Sequence, residues 1–166
     1  KIKPLPHGQD IEFTVTGQTH HLELPLVGAF QVMNALCAMG LVLADAPKTS
    51  VKKIVKALSN IQGAPGRLQL VEGHPKGAVY VDYAHTPDAL EHVLKALRPH
   101  TKGKLFCIVG CGGDRDAGKR PIMGKLANDL ADVAIITDDN PRTEDAASIR
   151  KQMLKKAYKA REIGDR

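Results

Sequence analysis

The 166-residue sequence predicts an α/β fold: a Rossmann-like, mainly parallel sheet with flanking helices, preceded by a β-hairpin and two helices. Three observations predict it. From residue 68 onward, apolar runs of strand length alternate with stretches of helical length, the pattern of βαβ units and a parallel sheet. Two of those runs, "LFCIV" (105–109) and "VAIIT" (133–137), are continuously apolar, as strands covered on both faces are. Before residue 62 a hairpin pattern and two helical patterns replace that alternation.

Taken in order, residues 11–26, "IEFTVTGQTHHLELPL", alternate apolar and polar around Gly17, which predicts a hairpin. His20 and His21 are neighbours on it; adjacent strand residues point to opposite faces, so they make poor partners for one metal ion. Residues 28–44 carry Phe30, Met33, Leu36, Cys37, Leu41 and Val42 near helical spacing, predicting a heavily buried helix with Asn34 inside it. A buried Asn needs hydrogen-bond partners, from local backbone or from a ligand. Residues 49–60 form a second helix with Val51, Ile54, Val55 and Leu58 on one side and Thr49 or Ser50 as its cap. Gly63, Pro65 and Gly66 then punctuate the chain, placing a domain boundary near residues 62–66. Beyond it the reading is strand 68–72, strand 77–82, helix 87–97, strand 104–109, helix 118–130, strand 132–137 and helix 145–160.

Composition narrows the function classes. At 43% hydrophobic and 25% charged the chain can bury a core. It has no apolar run of ~18 residues and no signal-peptide pattern at its start, so a soluble, cytoplasmic protein with no membrane partner is expected. The net charge of +6 invites nucleic acid, but the basic residues are dispersed and aromatics are only 4%, so none is expected. Cys37, Cys107 and Cys111 read as reduced core thiols, and no metal site is expected.

The most distinctive stretch is "GCGGDRDAGKRP", residues 110–121. Gly113, Gly118 and Lys119 fit part of a P-loop, but Arg120 stands where Mg²⁺ binding needs Ser or Thr. Asp114 and Asp116 would also repel phosphate. A different task is implied. In parallel α/β sheets ligands gather beyond the carboxyl ends of the strands, where three polar loops are predicted to converge: "DYAHTPD" (82–88), "GCGGDRD" (110–116) and "TDDNPR" (137–142). Together they predict a site for a charged small molecule.

The order and spacing of "GAPGRLQLV", "VDYAHTPDAL", "GCGGDRDAGKRP" and "TDDNPRTED" closely resemble the Mur ligases of peptidoglycan synthesis, in the branch that adds meso-diaminopimelate. The resemblance covers essentially the whole chain and implies part of a longer enzyme: residues 1–64 the end of a central ATP-binding domain, residues 65–166 most of a C-terminal amino-acid-binding domain. The true P-loop, the Mg²⁺ ligands and a "GKGHE" segment would lie outside it, and "REIGDR" (161–166) resembles the approach to that last segment.

By the same resemblance Asn34, Arg67 and Asp82 contact ATP, and Arg115, Asp139, Asn140 and Arg142 hold meso-diaminopimelate. The chemistry agrees: an amide can pair with adenine, a carboxylate with ribose hydroxyls, and an Arg cluster with the distal carboxylate that L-lysine lacks. Gln31 departs from the Asn usual at its family position. His85 is implied as a loop-ordering residue, and no catalytic residue is assigned. ATP, Mg²⁺ and a UDP-N-acetylmuramoyl dipeptide are the implied cofactors and partners of a monomeric acid–amino-acid ligase, with this chain alone inactive. The alternative is a noncatalytic amino-acid-binding module on the same fold.

Overall fold

The computed structural model describes residues 1–74 and 76–164. The chain separates into two compact units, Lys1–Tyr83 and Ala84–Arg166. The division falls after the Gly/Pro punctuation at 63–66, because the segment that follows it folds back within the first unit.

The first unit opens with three antiparallel strands, β1 (Ile2–Leu5), β2 (Gly8–Val15) and β3 (Gln18–Leu24). The expected hairpin is β2–β3, with Val15 opposite Gln18. Thr16 and Gly17 both have positive φ, 49° and 77°, the conformation of a two-residue turn whose twist matches its strands. β1 was not expected; it pairs with β2. The buried Gln9 side chain donates from Nε2 to the carbonyls of Leu26 (3.0 Å) and Gly28 (2.9 Å), tethering β2 to the chain entering the next helix.

That helix, α1 (Ala29–Asp45), presents a different face to the core from the one expected. Val32, Ala35 and Met39 are buried, whereas Phe30, Met33, Leu41, Val42 and Cys37 are exposed. The helix is apolar almost all round, so period alone could not select the inward stripe. Asn34 is correspondingly exposed rather than buried. α2 (Val51–Leu58) buries Ile54 and Leu58 against Ile11, Leu22, Leu24 and the inward face of α1. β4 (Gln69–Val71) and β5 (Val79–Val81) close the unit as an antiparallel pair, so these two strands are not members of a parallel sheet.

In the second unit α3 (Pro87–Leu97) is followed by a parallel sheet of β6 (Phe106–Val109), β7 (Val133–Ile136) and β8 (Arg161–Glu162), interleaved with α4 (Lys119–Leu130) and α5 (Ala146–Leu154). Thr86 caps α3 by accepting from the Ala89 N–H at 3.3 Å, with Pro87 at the first turn. Asp145 caps α5 by accepting from Ser148 N–H at 2.7 Å. Leu90, Leu94, Cys107, Val109, Met123, Ala127, Ala134, Ile136, Ile149 and Met153 form one core.

Within these 166 residues Cys107 and Val109 are buried while Phe106 and Ile108 are 59% and 69% exposed, so this chain covers one face of the sheet where the apolar strands imply two. The last helix is also shorter than expected. After Leu154 the buried Ala157 turns the chain, Lys159 N–H donates to Asn128 Oδ1 (2.9 Å), and Ile163 N–H reaches the Ile136 carbonyl (2.9 Å), forming the unexpected β8. Asp165 and Arg166 of "REIGDR" lie outside the described residues. No helix among the described residues is long and apolar enough to cross a membrane.

Candidate functional site

Two of the three predicted loops leave the carboxyl ends of neighbouring parallel strands, 110–118 after β6 and 137–145 after β7. The third follows β5, which among the described residues pairs with β4 in a separate sheet. Residues 84–88 nevertheless reach the site through their backbone: Lys119 Nζ donates to the His85 carbonyl at 2.7 Å.

The glycines of the 110–113 segment exist to let the two loops touch. A Cβ on Gly110 would lie 2.7 Å from the Thr137 carbonyl oxygen and 3.0 Å from Asp139 Cβ. On Gly112 it would lie 2.8 Å from Arg142 Nη1, and on Gly113 it would fall inside the Pro141 carbonyl. In a P-loop such glycines would admit phosphate; here they admit a second stretch of backbone.

Hydrogen bonds then lock the pair. Gly113 N–H donates to the Asn140 carbonyl (2.9 Å), and Arg142 Nη1 donates to the Gly113 carbonyl (2.8 Å). Asp114 accepts from Thr143 through its hydroxyl (2.7 Å) and backbone N–H (3.2 Å). Asn140 Oδ1 accepts from Arg142 N–H at 3.2 Å. Asp114 and Arg142 both sit at φ 51°, a left-handed conformation that costs side-chain-bearing residues on the order of 1–3 kcal/mol and persists where surroundings over-determine it.

Beneath the loops lies Arg120, 1% exposed on the first turn of α4. Its Nη1 and Nη2 meet the two oxygens of Glu144 at 2.7 Å each, a forked charge-assisted pair. Nη1 also reaches Gln152 Oε1 (3.1 Å) and Nη2 the Gly112 carbonyl (3.3 Å). Glu144 accepts a further bond from Asp114 N–H at 2.6 Å. The guanidinium first, and that backbone N–H second, hold the Glu144 carboxyl down to about 2. Burial pushes the thiol of Cys107 on β6 up to about 11, which suits a packing residue better than a nucleophile. Arg120 and Glu144 were not among the sequence candidates; the one signal for them, the "KRP" and "TED" flanks of two conspicuous motifs, reads equally as helix-start composition.

Of the predicted residues, the structure gathers Asp139, Asn140 and Arg142 on one loop and Arg115 on the loop facing it, all exposed. Arg115 Nη1 donates to the Asp114 carbonyl at 3.1 Å, and Asp139 makes no hydrogen bond or ion pair among the described residues. Asp138, beside it, is instead ion-paired to Arg150, which also holds Glu162 at 2.8 Å. The surface therefore offers guanidinium, carboxylate and amide groups from a backbone that cannot easily move, a set suited to a zwitterionic small molecule.

In the first unit Arg67 and Asp82 are brought together. Asp82 Oδ2 accepts from Leu68 N–H (2.8 Å), Tyr83 N–H donates to the Gly66 carbonyl (2.8 Å), and the Arg67 guanidinium lies over the Tyr83 ring at 5.3 Å. Asn34 stands apart on α1, its Nδ2 donating to Gln31 Oε1 at 3.1 Å. Gln31 thus orients the candidate amide, whatever its departure from the usual Asn. Among the described residues no group of three or more His, Cys, Asp or Glu side chains gathers as a metal site.

Residues 66–166 match the family described as Mur ligase, glutamate ligase domain. The chain is 58% identical over 164 residues, 98% of its length and 33% of the relative's, to the UDP-N-acetylmuramoyl-L-alanyl-D-glutamate--2,6-diaminopimelate ligase of Caulobacter vibrioides. It is 50% identical over 167 residues, covering 100% of this chain and 34% of the relative, to the ligase of the same name from Agrobacterium fabrum. A solved structure of a ligase of that name superposes with a TM-score of 0.75 at 37% identity, over 100% of this chain and 34% of that one. A folylpolyglutamate synthase from Thermotoga maritima, at 23% identity and a TM-score of 0.77 over 99% of this chain and 38% of that one, shares the fold. The chain spans about a third of the length of the curated relatives it matches. With its carboxyl-terminal residues matched to the family and its whole length aligned to these ligases, the chain belongs to the Mur ligase family.

Proposed function

We propose that this chain is the part of an ATP-dependent, amide-forming ligase that receives meso-diaminopimelate, the amino acid added to UDP-N-acetylmuramoyl-L-alanyl-D-glutamate in peptidoglycan synthesis. The observation that carries the reading is the locked pair of loops at the β6 and β7 strand ends, which presents Arg115, Asp139, Asn140 and Arg142 from fixed backbone. Guanidinium groups meet the distal carboxylate, and Asp139 with the Asn140 amide meets the distal ammonium. L-lysine, lacking that carboxylate, would leave the Arg groups uncompensated. On this reading residues 65–166 are the amino-acid-binding domain and residues 1–64 the end of the nucleotide-binding one, with Arg67 directed to phosphate, Asp82 to ribose and Asn34 to adenine. His85 orders the loop whose carbonyl Lys119 holds.

The reaction is an attack by the D-glutamyl γ-carboxylate on the γ-phosphate of ATP, which breaks the bond to the β,γ-bridging oxygen, releases ADP and gives an acyl phosphate. The amine of diaminopimelate then displaces phosphate and forms the amide. This chain contributes positioning of the amine donor; the P-loop and Mg²⁺ that support phosphoryl transfer belong to the rest of the enzyme, so the chain alone does not turn over. The enzyme works as a cytoplasmic monomer, on soluble substrates.

Calorimetric titration of the chain with meso-diaminopimelate, with L-lysine as control and Arg142→Ala as variant, tests the reading. Selective binding that the substitution abolishes supports it. Equal binding of both amino acids, or binding indifferent to Arg142, refutes the assigned specificity; robust ADP release by this chain alone refutes its dependence on the missing parts.

A further inference from the structure

The pair beneath the loops has no place in the chemistry just described, and its position is unusual. A fully buried guanidinium paired with a carboxylate is often no more stabilising than well-packed apolar side chains, so its presence here calls for another reason. Its contacts supply one. Through Arg120 and Glu144 a single ion pair collects the carbonyl of Gly112, the N–H of Asp114, the side chain of Gln152 on α5 and the start of α4. Gly112 and Asp114 flank the carbonyl that receives Arg142, and Asp114 immediately precedes Arg115. Glu144 lies two residues beyond Arg142 and four beyond Asn140. Thr143, between them, is bound to the Asp114 carboxylate.

We propose that Arg120, acting through Glu144, is a positioning residue that sets the register between the 110–116 and 137–144 loops and thereby the spacing of the groups that select the amino acid's distal end; this rests on the reading of these loops as the diaminopimelate pocket. Arg120 binds no substrate itself. Its planar fork fixes two directions at once, to Glu144 and to Gly112, which the single ammonium of a lysine cannot reproduce. Loss of the fork lets one loop slide on the other, so Arg115 and Arg142 no longer meet one carboxylate together.

The test uses the full-length ligase carrying this chain, with Arg120→Lys, Glu144→Gln and the exposed-site variant Thr143→Val, which loosens the same loop pair from the surface. Steady-state constants for meso-diaminopimelate and ATP, discrimination against L-lysine and the melting temperature are read together. Expected is a rise in KM for diaminopimelate on the order of tenfold to a hundredfold, reduced discrimination against L-lysine and an unchanged KM for ATP. If Arg120→Lys fails to fold, Glu144→Gln and Thr143→Val carry the measurement. Unchanged diaminopimelate constants in the folded variants, beside a wild type that uses diaminopimelate, overturn the positioning role and leave the pocket reading intact. A parallel loss of melting temperature and of every kinetic constant makes the pair merely structural and also overturns it. A wild type that does not use diaminopimelate removes the reading on which the proposal rests.

Discussion

Replacing Gly113 by Ala probes the meeting of the two loops most directly. The added Cβ would fall inside the Pro141 carbonyl, which is backbone and has no rotamer into which to retreat. One loop must therefore move, by roughly an ångström, and misplacement of that size in a positioning group costs on the order of 100-fold in productive binding. Overpacking of this kind costs ~1–3 kcal/mol. The Gly113 N–H bond to Asn140 and the Arg142 bond to the Gly113 carbonyl add ~0.5–1.5 and ~1.5–3 kcal/mol if they break. With partial relaxation the total is on the order of 3 kcal/mol, a fall in melting temperature on the order of 10 °C. Differential scanning calorimetry reads the stability and titration with meso-diaminopimelate reads the site. Gly103→Ala is the control, since a Cβ there meets nothing within 4 Å. A Gly113→Ala protein that melts with the wild type and keeps its affinity would refute the claim that loop contact, rather than phosphate binding, explains the glycines.

Met153, 0% exposed in the core between α5 and α4, should cost ~2–5 kcal/mol on truncation to Ala, read as a lower denaturation midpoint with an unchanged slope. Glu144 makes a pH prediction whose sign is set by its depressed carboxyl. Its ordinary value is 4.5 and its folded value about 2, so at intermediate pH the unfolded chain binds the extra proton. The stabilisation is complete above the ordinary value and is lost as pH falls towards the folded one. Wild type should therefore lose stability on acidification through that window more steeply than Glu144→Gln, as urea titrations at several pH values would register; parallel curves would refute the assignment.

Most of the fold was legible because it is written in local chemistry. The hairpin turn at Gly17 and the apolar spacing of Ile54 and Leu58 each act within a few residues, and the hairpin and α2 formed where those signals stood. The family was legible in the same way, from motifs whose order survives in the linear chain. What was not legible depended on partners distant in sequence. α1 is apolar on every side, so only its packing on β2, β3 and α2 decided that Val32, Ala35 and Met39 turn inward and Asn34 outward. β8 and the early end of α5 arose from bonds to Asn128 and Ile136, far back in the chain.

The same division runs through the site. From the sequence, through its resemblance to the Mur ligases, came the candidate residues Arg115, Asp139, Asn140 and Arg142, because charge and motif belong to side chains wherever they sit. Tertiary structure alone decided why Gly110, Gly112 and Gly113 stand where they do, since a glycine's need is for space, and the neighbour that claims the space is Pro141 or Thr137 on another strand's loop. It also decided that Arg120, an apparent helix-start cation, is buried against Glu144. A charge pair's worth depends on how far solvent is excluded around it, and that is set by packing, which no stretch of sequence contains by itself.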